Sequence, residues 1–285
     1  MKRRLSIKRR VYSGALTGFM YLAVGIAVAA LIGIIGFVLY RGLGHITWEF
    51  LTTARSALRN TVGILPNILY TLYIIFTTLL IALPLGIGAA IYLNEYAAKR
   101  RLVRFIEFVI ELLAGIPSII FGLIGVLFFI QAMGMRRPSL LVGALTLSIL
   151  VLPTIVRTTQ EALKTVPAAY REGAFALGAT KWYMIRTIIL PASADGIVGG
   201  TILAVGRMVG ESAALLFTAG MGYALVTNYF EALQTAGGTL TVMLFVYITE
   251  HGDFDTAFAI ASVLLIIVLL LNIGVKLVKR RLKKI

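Results

Sequence analysis

Arg171-Glu172-Gly173-Ala174-Phe175-Ala176-Leu177-Gly178-Ala179-Thr180-Lys181-Trp182-Tyr183-Met184-Ile185-Arg186-Thr187-Ile188-Ile189-Leu190-Pro191 is a polar, helix-breaking interruption in a chain that is otherwise strongly apolar. Pro167, a few residues upstream, suits a first helical turn, where its missing N–H would be unpaired anyway. Tyr170, Ala174 and Leu177 then fall at i, i+4 and i+7 and predict one apolar stripe. Gly178 follows as a stop, since a left-handed residue costs glycine little. Thr180 is placed to cap a second helix that runs through Lys181, Trp182 and Tyr183 into the next apolar segment. The expectation is helix, glycine corner, helix. Periodicity alone leaves two readings open: a segment that anchors a loop at the membrane surface, or one that docks a partner.

Around this segment the composition is that of an integral membrane protein. Of 285 residues, 59% are hydrophobic and 14% charged, with mean hydropathy +0.94. Soluble domains lie nearer 45–50% apolar and about 25% charged. A net charge of +15 in a soluble protein would suggest nucleic acid; here the basic residues sit between apolar runs, so no nucleic-acid partner is expected. There is no cysteine, which excludes disulfides, thiol nucleophiles and cysteine metal sites. His45 and His251 read as separate loop or surface residues.

A membrane-crossing helix needs about 20 apolar residues. Six segments meet that length: approximately Gly14–Tyr40, Ile64–Leu93, Phe105–Ala132, Ser139–Val156, Ile188–Phe217 and Thr256–Val278. Lys and Arg set the orientation. Twenty-one lie in the two terminal tails, in the loop holding Lys99 to Arg104, and in the segment from Arg157 to Arg186; five (Arg41, Arg55, Arg59, Arg136, Arg137) lie on the other side. Both termini are therefore expected in the cytoplasm, as an even number of spans requires. The organisation is a basic tail (1–13), a six-span domain (14–278) with the interrupting segment at 157–187, and a second basic tail (279–285). The outer segments Arg41–Gly63 and Thr218–Asp255 are expected to hold interfacial helices, with Trp48 as an interface anchor.

Glu172-Gly173-Ala174, three residues, Gly178, nine residues, Ile188, one residue, Leu190-Pro191 resembles the E-A-A-x3-G-x9-I-x-L-P signature of binding-protein-dependent ABC importer permeases. Gly173 stands where that family usually has Ala. The resemblance implies an all-α, six-helix type I importer permease. It also implies that Arg171, Glu172, Gly173, Ala174, Gly178 and Ala179 belong to coupling helices that dock on an ATP-hydrolysing subunit. A self-contained ATPase would need a G-x4-G-K-[ST] loop, and no Gly-Lys pair occurs in the chain. ATP and magnesium are thus expected on the partner, with no cofactor held by this chain.

Two further stretches, Leu113 to Leu123 (with Gly115-Ile116-Pro117-Ser118) and Ala204 to Ala219 (with Arg207, Gly210, Glu211 and Leu215-Leu216-Phe217-Thr218-Ala219), resemble phosphate-importer permeases. The run from Pro153 is similar too, although many relatives carry Glu where this chain has Gln160. The compact outer loops and the Leu-Leu-Phe-Thr-Ala run resemble PstA-type more than PstC-type subunits. The implied partners are a PstC-type permease, two PstB-type ATP-binding subunits and a PstS-type phosphate-binding protein, in the lipid of a prokaryotic cytoplasmic membrane.

The residues themselves are compatible with an anion path. Arg207 lies within an apolar run, where a charge costs about 2.5–3.5 kcal/mol on insertion scales and should face a cavity or a partner. Glu211 is four residues on, within pairing reach on a helix. The two form either an ion pair that lowers the insertion cost or a site where the arginine fork takes the phosphate oxygens while Glu211 orients it or accepts a proton from a protonated phosphate oxygen. Pro117 and Ser118 mark a backbone break suited to a pathway; Pro84 reads as a simple kink. Gly196/Gly200 and Gly206/Gly210 allow close helix crossing, within the subunit or between subunits. Glu107 and Glu111 are expected at the inner end of the third span, either interfacial or paired with Arg101 or Arg104, and outside the path. The rival functions are import of another oxyanion or small solute by the same machine, and a secondary transporter using Arg207 and Glu211 as an ion relay.

Overall fold

The computed structural model describes residues 7–56 and 61–282. Of the basic residues counted above, Lys2, Arg3, Arg4, Arg59, Lys283 and Lys284 lie outside them. The first span is α1 (Ile7–Gly42), followed on the outer side by the short α2 (Trp48–Thr52), capped by the Thr47 hydroxyl. A two-stranded antiparallel hairpin, β1 (Ala54–Ser56) and β2 (Thr61–Ile64), leads into α3 (Leu65–Ile91), which ends in a wide π turn at Tyr92–Tyr96. Among the described residues the hairpin is the one departure from an all-helical outline. Pro84 lies inside α3 without ending it.

The third span is not the single rod read from Phe105–Ala132. It consists of α4 (Arg100–Gly115) and α5 (Ser118–Gly125, continued by a π segment Val126–Ala132), bent by 101°. Pro117 is the cause: it has no N–H to give and pushes the preceding Ile116 to an extended ψ of 131°.

The fourth span, α6 (Leu140–Lys164), is the axis of the molecule. It packs on α3 on one side, and its Leu147, Leu150 and Val151 are completely buried. The inner connection folds as α7 (Ala168–Ala176) and α8 (Lys181–Met184), which continues through a π turn (Ile185–Ile189) into α9 (Leu190–Val209).

The fifth span is also broken. Read as continuous over Ile188–Phe217, it stops at Val209 and resumes as α10 (Ala213–Thr218) after a non-helical Gly210-Glu211-Ser212. Outside, α11 (Tyr229–Leu233) precedes α12 (Leu240–Thr249). The segment is expected to hold interfacial helices, but α12 is not one: its Leu240, Val242 and Met243 are buried in the main apolar cluster, and Val246 is buried beside them. Ten almost wholly apolar residues are too few to cross a membrane and too greasy to lie on it. The last span is α13 (Phe254–Leu282).

Among the described residues, α1 packs on the rest of the chain through its outer end. A Cβ on Gly42 would lie 2.2 Å from the Phe258 carbonyl oxygen, Ser262 donates to the Val38 carbonyl (3.1 Å), and the Phe37 and Phe258 rings meet edge-on. The most apolar stretch of α1 buries nothing against the rest of the molecule. A helix so uniformly apolar is stable there only against lipid or another subunit.

Candidate substrate path and coupling segment

The register of α9 against α6 sets the depth of Arg207. Gly196 faces Ala162 and Gly200 faces Thr158, so the helices run antiparallel. Continuing that register for seven residues, about 10 Å at 1.5 Å per residue, brings Arg207 level with the middle of α6. The helix that follows the third-span break lies nearby: Gly122 of α5 abuts Ala214 of α10, and Gly125 abuts Thr146 and Thr218. The interrupted third and fifth spans therefore pack on each other at their broken regions. Irregular backbone at membrane depth is tolerated where protein or a water-filled cavity satisfies it.

How the fifth-span break is satisfied is visible atom by atom. Thr241 of α12 donates to the carbonyl of Val209 (2.9 Å), closing the end of α9. The carboxylate of Glu211, itself 9% exposed, accepts from the Ala214 N–H (3.1 Å) and so caps α10. The Arg207–Glu211 ion pair, one of the two readings left open, is absent for this reason. Pairing at i, i+4 needs both residues on one helix, and the helix ends between them. Among the described residues no hydrogen bond or ion pair holds Arg207. It is half-buried in the last turn of α9, where a cation suits the helix dipole. Pro117 is exposed and Ser118 half-buried at the start of α5.

The glycine pairs divide. A Cβ on Gly200 would lie 2.0 Å from Thr158 Oγ1, and one on Gly196 2.5 Å from Ala162 Cβ, so this pair makes the crossing with α6. Gly206 meets nothing within 4 Å, and Gly210 meets only its own preceding turn. Gly206, Gly210, Gly199 and Asp195 are all exposed on α9. Sequence reading passed over Asp195, a charge in mid-span that should have been noticed for the same reason as Arg207.

Glu107 and Glu111 approach α6, not Arg101 or Arg104. Lys164 is 4.0 Å from Glu107, Arg157 is 3.9 Å from Glu111, and Gln160 donates to Glu107 (3.4 Å). They line an open polar cavity of about 240 Å³ together with Glu161. The α4 face carrying the acids turns toward α6 and meets Arg157, Gln160 and Lys164 there, although Arg104 stands only three residues before Glu107 on the same helix.

In the coupling segment the helix–glycine corner–helix is present. Gly178 has φ +77°, and Thr180 accepts from the Tyr183 N–H. Pro167 caps α7 from just outside its first turn. The stripe is only partly a buried one: Ala174 is buried, but Tyr170 is exposed and Leu177 is 90% exposed. Phe175, Trp182 and Tyr183 are exposed beside them. A cluster of large apolar groups of this kind marks a surface that binds something. Glu172, Gly173 and Gly178 lie on the exposed side and Ala179 is half-buried. Arg171 turns inward instead, onto Glu95 (2.8 Å).

Residues 82–284 match the family model described as binding-protein-dependent transport system inner membrane component. The chain is 36% identical to the probable ABC transporter permease protein YqgI of Bacillus subtilis, over 75% of this chain and 73% of that protein. It is 30% identical to the phosphate transport system permease protein PstA 1 of Mycobacterium tuberculosis, over 97% of this chain and 91% of that one. It is also 32% identical to the phosphate transport system permease protein PstC 1 of Mycobacterium bovis, over 78% and 73%. In structure it is similar to a bacterial importer of the acidic polysaccharide alginate (TM-score 0.66, 16% identity, 95% of this chain and 99% of that chain). A second likeness is to the MetNI methionine ABC transporter (TM-score 0.58, 20% identity, 77% and 94%).

Proposed function

Because the chain belongs to the inner-membrane component family of binding-protein-dependent transport systems, it is a multi-pass permease subunit of an ABC importer, and we propose that the solute it imports is inorganic phosphate. The observation that carries this reading is Arg207, a cation that no partner holds among the described residues, at the depth where two spans are broken. A guanidinium fork matches phosphate oxygens two at a time. One such group binds weakly enough to release the ion again, as conduction requires. The near full-length likeness to a phosphate permease supports the same solute.

Glu211 serves the path indirectly in this proposal. By capping α10 it holds the break open, so that the last turn of α9 presents Arg207 with exposed glycines on either side. Pro117 and Ser118 contribute the second break. ATP hydrolysis resides on separate ATP-binding subunits that cover Tyr170, Phe175, Leu177, Trp182 and Tyr183. A second permease of the PstC kind meets the exposed face of α9, and an extracytoplasmic phosphate-binding protein delivers the ion. The test is reconstitution with those partners in liposomes, measuring ATP hydrolysis and uptake with phosphate, sulfate or a neutral solute on its own binding protein. Stimulation by phosphate alone is expected. Stimulation by another solute and not by phosphate overturns the assignment, and uptake driven by a proton gradient without ATP overturns the coupling.

A further inference from the structure

Arg171 belongs by sequence to the docking surface, yet its guanidinium is spent inside the molecule. Nε and Nη2 donate to the Glu95 carboxylate (3.2 and 2.8 Å), Nη1 donates to the Val166 carbonyl (2.9 Å), and Nη2 also donates to that of Leu163 (3.0 Å). Leu163 is in the last turn of α6 and Val166 lies two residues beyond its end, where the helix's own N–H groups run out. The Glu95 side chain is 6% exposed and also accepts from Asn94 (2.7 Å). The other ion pairs among the described residues are longer, 3.4–4.0 Å, with every side chain at least 38% exposed.

Glu95 stands in the π turn Tyr92–Tyr96, where the second span ends; such turns interrupt a helix at sites of special demand. The neighbouring Tyr96 ring receives the ammonium of Lys181 at 4.8 Å. Arg171 is on α7 and Lys181 on α8, so both halves of the coupling segment are tied to one turn of the second span. An apolar cluster seals the joint. Ala90, Ile91 and Leu93 pack with Leu163, Val166, Ala174, Met184 and Ile185, separately from the larger cluster among the spans.

We propose that Glu95 and Arg171, seconded by Lys181 on Tyr96, are positioning residues that clamp the coupling segment to the inner end of α3, so that the second span moves with the segment when the ATPase moves it. This rests on the coupling role given above. A buried charge pair is weak evidence of stability, since an apolar pair would hold as well, but it fixes direction. A fork on a carboxylate resists rotation as well as separation. The direct covalent route into α9 passes instead through a second π turn, Ile185–Ile189, and Pro191.

The experiment is the reconstituted full transporter carrying Glu95→Gln, Arg171→Gln, Arg171→Lys or Lys181→Ala, with ATP hydrolysed per phosphate imported as the readout and co-purified ATPase subunits as the control. The ratio is expected to rise roughly fivefold or more in Glu95→Gln and Arg171→Gln, the lower end of ordinary site-to-site couplings. Arg171→Lys, which keeps the charge without the fork, should fall between them and the wild type. Wild-type ratios in Glu95→Gln and Arg171→Gln overturn the clamp. If those two do not assemble, Lys181→Ala on the segment's surface decides: a raised ratio supports the clamp and an unchanged one overturns it. A wild-type assembly without ATP-driven phosphate uptake overturns the functional reading, and this proposal with it.

Discussion

Gly200 and Gly206 lie on the same helix, six residues apart, and substitution by alanine should move stability in opposite directions. Alanine in a helix interior is favoured over glycine by about 1 kcal/mol, and both positions collect that gain. At Gly206 nothing lies within 4 Å of the new Cβ, so the gain stands. At Gly200 the Cβ would lie 2.0 Å from Thr158 Oγ1, 2.6 Å from Thr158 Cβ and 3.3 Å from its Cγ2. Rotating the threonine does not clear the site, because its Cβ stays in place. Rotation also breaks the hydroxyl's bond to the Thr154 carbonyl (2.8 Å), a net loss of about 1 kcal/mol. The helices must then separate, and overpacking of a close contact costs about 1–3 kcal/mol. Gly200→Ala should therefore come out about 1–3 kcal/mol less stable than wild type, and Gly206→Ala about 1 kcal/mol more stable. Dodecyl sulfate titration of the chain in mixed micelles, followed by helical circular dichroism, measures both. Equal midpoints for the two variants would refute the α6–α9 register, and with it the depth assigned to Arg207.

Three other outcomes follow from the same geometry. Arg207→Gln should leave assembly intact and reduce phosphate uptake at least tenfold, about 1.4 kcal/mol or more of lost transition-state interaction; uptake at the wild-type rate would remove Arg207 from the path. Gly178→Ala meets no steric neighbour, but a left-handed residue with a side chain costs about 1–2 kcal/mol. Its coupling segment should bind the ATPase subunits less tightly, with Gly178→Asn milder, and equal binding by Ala, Asn and Gly would show that the corner does not need that backbone. On the outer side, burial raises the pKa of Asp253, but the Thr256 hydroxyl and N–H, the Asp255 N–H and His45 together outweigh it and hold it below its ordinary value. A depressed carboxylate stabilises the fold above its unfolded pKa, and that contribution is lost as pH falls through the folded value. The Asp253 cap on α13 should therefore weaken only below about pH 4, and in Asp253→Ala this acid-dependent component of the melting temperature should vanish.

Much of the molecule could be read from its residues because the signals were local. Gly178 and Thr180 specify their corner through their own backbone preferences, and the structure has both features where the pattern put them. The long apolar runs and the basic loops likewise carry their meaning in composition. Failures came where one residue type allows two outcomes. Arg207 and Glu211 have helical pairing distance in sequence, but Gly210 and the Thr241 hydroxyl end the helix between them. Arg171 has the right place in the signature for docking, yet Glu95, 76 positions earlier, takes it inward. Glu107 and Glu111 had near neighbours of opposite charge and instead reached across to α6.

By itself, then, the sequence determined that this chain crosses a membrane, which side its basic loops face, and where a helix–glycine corner–helix is built. These follow from hydrophobic free energy, from the charge bias of loops and from the φ preferences of glycine, all properties of short stretches. The tertiary structure alone decided which of two glycine pairs is a packing surface and which is left open. It also decided that the third and fifth spans break against each other, and that the docking arginine is held by the second span. Those outcomes depend on which helix comes to lie beside which, and on a half-buried arginine meeting the Glu95 carboxylate.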